Sequence, residues 1–109
     1  MEFLKSIEEA RKFVYLNKVA VLAIADLNND MGKLIYSVLR KLERISRGLI
    51  SYAILNTQAG SEAPIVALFV NGRRVFEQSD YFGNEKKDLQ ALKWGIREAL
   101  KDWGIEPPF

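Results

Sequence analysis

The chain has 109 residues, 16 basic and 14 acidic side chains, a formal net charge of +2 and 49% hydrophobic residues, the composition of one globular domain spanning residues 1–109. It contains neither cysteine nor histidine. Disulfides, thiol nucleophiles and thiolate metal sites are therefore excluded, as are imidazole bases and histidine ligands. The opening Met1–Ser6 has no apolar run of signal-peptide kind. The longest apolar run, Val19–Ala25, is far short of the roughly 20 residues that span a bilayer. A cytoplasmic location and no membrane partner are expected. Nucleic acid is disfavoured, because basic residues are interleaved with acids, as in Lys86-Lys87-Asp88 and Arg97-Glu98. Arg40, Lys41, Arg44 and Arg47, and the pair Arg73-Arg74, read as solvated surface.

In chain order, Ser6 with Glu9 is a capping box that opens a helix over about Ile7–Leu16, with Ile7, Ala10 and Val14 on the buried face. Val19–Ala25 is continuously apolar, as in a central strand buried on both faces. Asp26–Asp30 reads as a loop ending in a helix cap. About Met31–Ser46 carries the i, i+3, i+4, i+7 stripe of a helix, and Gly48 can close it in the left-handed conformation. Leu49–Asn56 is a second apolar strand, and Gln58–Ala63 a loop. Pro64 precedes a third strand, Ile65–Val70. Asn71-Gly72 is a strong hairpin signal joining it to Arg73–Gln78, with Val75 on one face and Arg74 and Phe76 on the other. Tyr81–Asn84 is a turn. Glu85–Trp103 is the last helix, with Leu89, Leu92, Ile96 and Leu100 buried, stopped by Gly104 and Pro107-Pro108. The order α-β-α-β-β-β-α predicts a parallel right-handed crossover over Val19–Asn56 and an antiparallel hairpin after Pro64.

That order, with its punctuation, resembles the thioredoxin-like superfamily. Val21–Asp26 with the following loop and helix resembles the segment that presents the family's Cys-x-x-Cys pair. Ala63–Gly72 is similar to its proline-strand-turn segment, and Phe82-Gly83 to the glycine that ends its hairpin. The likeness runs from about Ser6 to Trp103. It implies an α/β, thioredoxin-like three-layer sandwich with a mixed four-stranded sheet and helices on both faces. It also implies a cis bond before Pro64. The departure is decisive: the cysteine positions fall on Asn29 and Gly32, and the family's buried acid falls near Leu22. None of these residues can exchange a disulfide. Disulfide reductase, isomerase and peroxidase activities are excluded.

Two classes of function fit. The first is a redox-inactive protein- or peptide-binding module (chaperone, assembly factor or complex subunit). The resemblance implies a groove of Asn29, Asp30, Met31, Ala63, Pro64 and Gly83, with backbone pairing at Ala63 and apolar contact from Met31 and Phe82. The second is a structural or oligomerising domain, including a homodimer, that uses the outer helix face at Trp94 and Ala91 or the edge strand Val75–Gln78. On a helical wheel Trp94 lies nearly opposite Ile96, on the outer face. Asn29 and Asp30 read first as a helix cap, and Tyr52 and Tyr81 as packing residues. The carboxylates of Asp26, Asp30, Glu62 and Asp80 show no regular ligand spacing, so no metal and no cofactor is expected. No spacing of acids and lysines selects a catalytic pair, and other enzyme chemistry is not expected.

Overall fold

Val19–Ala25 sits at the centre of the architecture because it is apolar on both sides. The computed structural model describes residues 1–57 and 63–109. The elements are β1 (Glu2–Leu4), α1 (Ile7–Leu16), β2 (Val19–Ala25), α2 (Asp30–Ser46), β3 (Ser51–Asn56), β4 (Ile65–Val70), β5 (Arg73–Gln78) and α3 (Glu85–Asp102). The sheet order is β1-β3-β2-β4-β5. β3 runs parallel to β1 and β2, whereas β4 is antiparallel to both β2 and β5. The expected crossover and hairpin are both present.

The sheet has five strands rather than the expected four. β1 pairs with β3 through Glu2↔Ala53, Phe3↔Ile54 and Leu4↔Leu55. Three residues are too short for a two-residue hydrophobic period to show in the sequence. Their strand state comes from the open edge of β3.

The two sheet faces are covered unequally. α2 and α3 bury Ile35, Val38, Leu39, Leu42, Leu92, Ile96 and Leu100 against Val21, Ala23, Ile54, Val66 and Leu68. Each such fully buried aliphatic side chain stabilises the fold by roughly 1.5–3 kcal/mol. On the other face α1 alone packs Ala10 and Phe13 on Ala20, Leu22, Ala53 and Leu55. The buried stripe of α1 is therefore Ala10 and Phe13, not Ile7, Ala10 and Val14. Ile7 is 66% exposed and Val14 half-buried. Ile7 instead lines an open cleft with Tyr15, Leu22, Leu55 and Phe69.

Local signals explain the remaining joints. Ser6 Oγ accepts from Glu9 N–H at 3.1 Å, and Glu9 returns the contact by accepting from Lys5 N–H. Asn71 and Gly72 both have positive φ, 51° and 80°, the backbone of a type I′ hairpin turn. One expectation on β5 fails. Leu68 pairs with Phe76 but Phe69 pairs with Arg74, so Val75 is an extra, bulged residue. Arg74 and Phe76 consequently lie on opposite faces. Phe76 turns under α3, where Gly95 makes room: a Cβ there would lie 2.4 Å from the ring. Leu89 is only half-buried.

Below the sheet, Ser46 Oγ–H donates to Leu42 C=O, so Tyr52 O–H donates to Ser46 Oγ, each at 2.6 Å. Tyr52 is 2% exposed. Burial pushes its phenol up to about 12, with the Glu43 charge adding to the rise. Tyr81 is raised as well, by burial and by the nearby Asp88. The folded state thus favours neutral phenols. Their stabilisation is complete below the unfolded phenol value of roughly 10 and is lost as pH rises from there through the folded value. Urea midpoints measured from pH 9 to 12 should fall over that window. Tyr52→Phe should shallow the fall without abolishing it, because Tyr81 remains, and should cost about 1 kcal/mol at neutral pH.

Candidate functional site

Strand directions gather three loops at one end of the sheet. Ala25 of β2 pairs with Asn56 of β3, Ile24 with Ile65 of β4, and Val66 of β4 with Gln78 of β5. The turn after β2, the approach to β4 and the turn after β5 therefore share an end. Asn29, Asp30, Met31, Ala63, Pro64 and Gly83 all belong to these three segments. Ala63 is exposed, Pro64 buried and Met31 half-buried. No peptide bond among the described residues is cis. The bond before Pro64 is therefore trans, contrary to the resemblance. The trans form of an X–Pro bond is intrinsically preferred by about 0.5–1 kcal/mol. Glu62 and most of the Gln58–Ala63 loop lie outside the described residues.

The segment where the cysteine pair would sit is occupied by its own cap. Asn29 is the N-cap of α2, and its Oδ1 accepts from Gly32 N–H at 2.7 Å. Asp26 Oδ1 accepts from Asn28 N–H, and Asp26 C=O from Asn29 N–H. Asn56 Oδ1 accepts from Leu27 N–H, tying this loop to the end of β3. Asp26, Asn29 and Asn56 thus hold the turn, and Asn29 caps the helix as the capping reading expects. Gly32 packs its backbone on Asp26: a Cβ at Gly32 would lie 1.9 Å from Asp26 O. Any side chain at that position displaces backbone.

A different arrangement surrounds Gly83. Asp88, in the first turn of α3, is fully buried. Its two carboxylate oxygens accept from Phe82 N–H at 2.8 Å and Gly83 N–H at 3.1 Å. Asn84 caps the helix through Lys87 N–H, and Gly83 supplies the positive φ, 77°, that turns the chain into it. The buried carboxylate thus fixes the turn from inside, and Phe82 is left outside, 69% exposed. Trp94 is 67% exposed on the outer face. Phe82, Lys86, Lys87, Gln90, Ala91 and Trp94 line one open cleft of about 690 Å³ with a mainly apolar surface. The opposite side of the α3 N-terminus is anchored. Ser37 O–H donates to Glu85, and Lys41 Nζ lies 3.1 Å from it. These contacts hold the Glu85 carboxyl below the usual range.

The structure thus places Trp94 and Ala91 together, as the wheel predicts, and joins them to Phe82 beside Gly83. Sequence reading missed Asp88 as the post holding Phe82. An acid in the first turn of a helix reads as a dipole partner, and only its burial reveals the second role. Among the described residues no cluster of acids is arranged to hold a metal ion, and no helix is long and apolar enough to cross a membrane.

Two stability outcomes test this geometry. Gly32→Ala should cost about 1–3 kcal/mol in urea unfolding, because backbone must move. Asp88→Ala should cost about 1 kcal/mol or more by removing the acceptor of two half-buried N–H bonds, and should release Phe82, seen as faster hydrogen exchange over residues 82–84.

No protein-family model matches the sequence, and no curated protein is similar to it at a significant level. Solved structures do match. Thioredoxin from Plasmodium falciparum is 13% identical with a TM-score of 0.71, over 90% of this chain and 98% of that one. A mutant thioredoxin from Halobacterium salinarum is 19% identical with a TM-score of 0.69, over 90% and 88%. Mitochondrial thioredoxin 3 from Saccharomyces cerevisiae is 16% identical with a TM-score of 0.69, over 90% and 94%. The chain has the thioredoxin fold and lacks the cysteine pair, so it carries no thiol for disulfide exchange.

Proposed function

We propose that this chain is a redox-inactive thioredoxin-fold protein that works as a protein- or peptide-binding module, as a chaperone, assembly factor or complex subunit in the cytoplasm. One observation carries the reading. Two large aromatic side chains, Phe82 and Trp94, stand about two-thirds exposed around a single apolar cleft. Isolated surface aromatics are ordinary, but a shared apolar cleft with aromatic walls is the composition of an interface core. The turn bearing Phe82 is held by a buried carboxylate, so little ordering entropy remains to be lost on binding. Phe82, which lines the cleft, follows β5 in the turn at the sheet end that also bears Asn29–Met31. Among the described residues no group of acids is placed to hold a metal ion, and the reading includes no catalytic step.

Self-association is the second reading, through the outer face of α3 or the β5 edge. The edge is poorly suited to it. Arg73, Arg74 and Glu77 are exposed, and the Arg74–Glu77 ion pair, at 2.8 Å, sits on a strand already bent by the bulge. Self-association is better matched to Trp94.

A partner captured from host lysate, identified and purified, gives the test. Phe82→Ala and Trp94→Ala should each weaken its binding about tenfold or more, with unchanged circular dichroism. Ala63→Arg should weaken it if the bound segment reaches the loop end. Full affinity in all three variants overturns the reading. A fall in the mass of the free protein with Trp94→Glu, read by sedimentation equilibrium, moves it to self-association.

A further inference from the structure

If the cleft is the recognition surface, as proposed above, its charge names the partner. At about 100° per residue along α3, Lys86, Lys87, Arg97 and Lys101 fall within about 80° of Trp94. All four are exposed. Only Glu98 and Asp102 oppose them in that sector, and Lys101 already holds Glu98 at 3.4 Å. The cleft lining contains two lysines and no acid. Lys87 Nζ stands 6.0 Å from the Phe82 ring centroid, so one cation leans over an aromatic wall.

The nearby carboxylates are turned away. Asp88 is spent on Phe82 and Gly83 N–H, and Glu85 faces Ser37 and Lys41. Among the described residues neither Lys86 nor Lys87 forms an ion pair. An open apolar surface bearing two aromatics and two unneutralised lysines is complementary to a chain of opposite pattern.

The geometry points to an acidic peptide segment as the occupant of the Phe82–Trp94 cleft, its large apolar side chain set between the two aromatics over Ala91 and its flanking Asp or Glu residues against Lys86 and Lys87. Single-stranded nucleic acid fits less well. Glu98 and Asp102 interrupt the basic face, where a backbone-tracking groove needs consecutive cations.

A peptide library displayed on phage decides the matter when selected on the wild-type chain and depleted on Trp94→Ala. Selected sequences should combine an aromatic or large aliphatic residue with two or more acids. Changing those acids to amides in a synthetic winner should weaken binding about three- to tenfold, as should raising the salt. Lys86→Glu with Lys87→Glu should have a similar effect with the fold intact, since acids are favourable in a first helical turn. Winners without acids that still depend on Trp94 overturn the acidic partner and leave the binding-module reading standing. An absence of Trp94-dependent winners overturns both. Tighter, Trp94-dependent binding of an oligothymidylate than of any selected peptide overturns the peptide in favour of nucleic acid.

Discussion

β2 is hydrogen-bonded along both edges and buried on both faces, and the remaining architecture is organised by that constraint. Its backbone pairs with β3 on one side and β4 on the other. Val21 and Ala23 face α2 and α3, whereas Ala20 and Leu22 face α1. A strand apolar on both sides must be roofed by helices on both sides. The parallel partner β3 demands a crossover, which α2 provides. The antiparallel partner β4 then starts where β2 ends. Three loops meet at that end because β2 has one parallel and one antiparallel neighbour.

Asp88 converts this frame into a surface. A buried carboxylate is expensive unless hydrogen bonds replace its water. Here the backbone N–H groups of Phe82 and Gly83 do so. The geometry that satisfies Asp88 dictates where the chain after β5 can run. It turns through Gly83 and leaves Phe82 without a core site. Exposing one phenylalanine forfeits hydrophobic stabilisation, yet an unpaired buried carboxylate would forfeit more. The polar network therefore wins, and the exposed aromatic is its consequence. Trp94, two helical turns along, gives that aromatic its neighbour across the cleft.

Much of this was legible in the chain because its signals were local. The unbroken run Val19–Ala25, the Ser6–Glu9 capping box and the Asn71-Gly72 turn each specify their own conformation. The outward direction of Trp94 followed from the wheel. What escaped depended on partners distant in sequence. Glu2–Leu4 is a strand only because β3 offers an edge. The bulge at Val75 leaves no mark in composition, yet it sends Phe76 rather than Arg74 under α3. Ile7 looks like a core residue until α1 is docked on the sheet through Ala10 and Phe13. The resemblance was a good guide to topology and a poor one to detail at Pro64, whose peptide bond is trans. Asp88 had an ordinary explanation in the sequence, and that explanation concealed its role.

The positions that would carry a cysteine pair in this fold are filled by other interactions. Asn29 is committed to capping α2, and Gly32 lies so close to Asp26 that no β-carbon fits. The N-terminus of α2 has thus been closed by packing. The N-terminus of α3 has been opened by a buried carboxylate. Glu85 of α3 meets Ser37 and Lys41 of α2, and none of the three lines the Phe82 cleft. The proposed recognition surface depends on Asp88, Gly83 and the α2–α3 contact, none of which needs a reactive group.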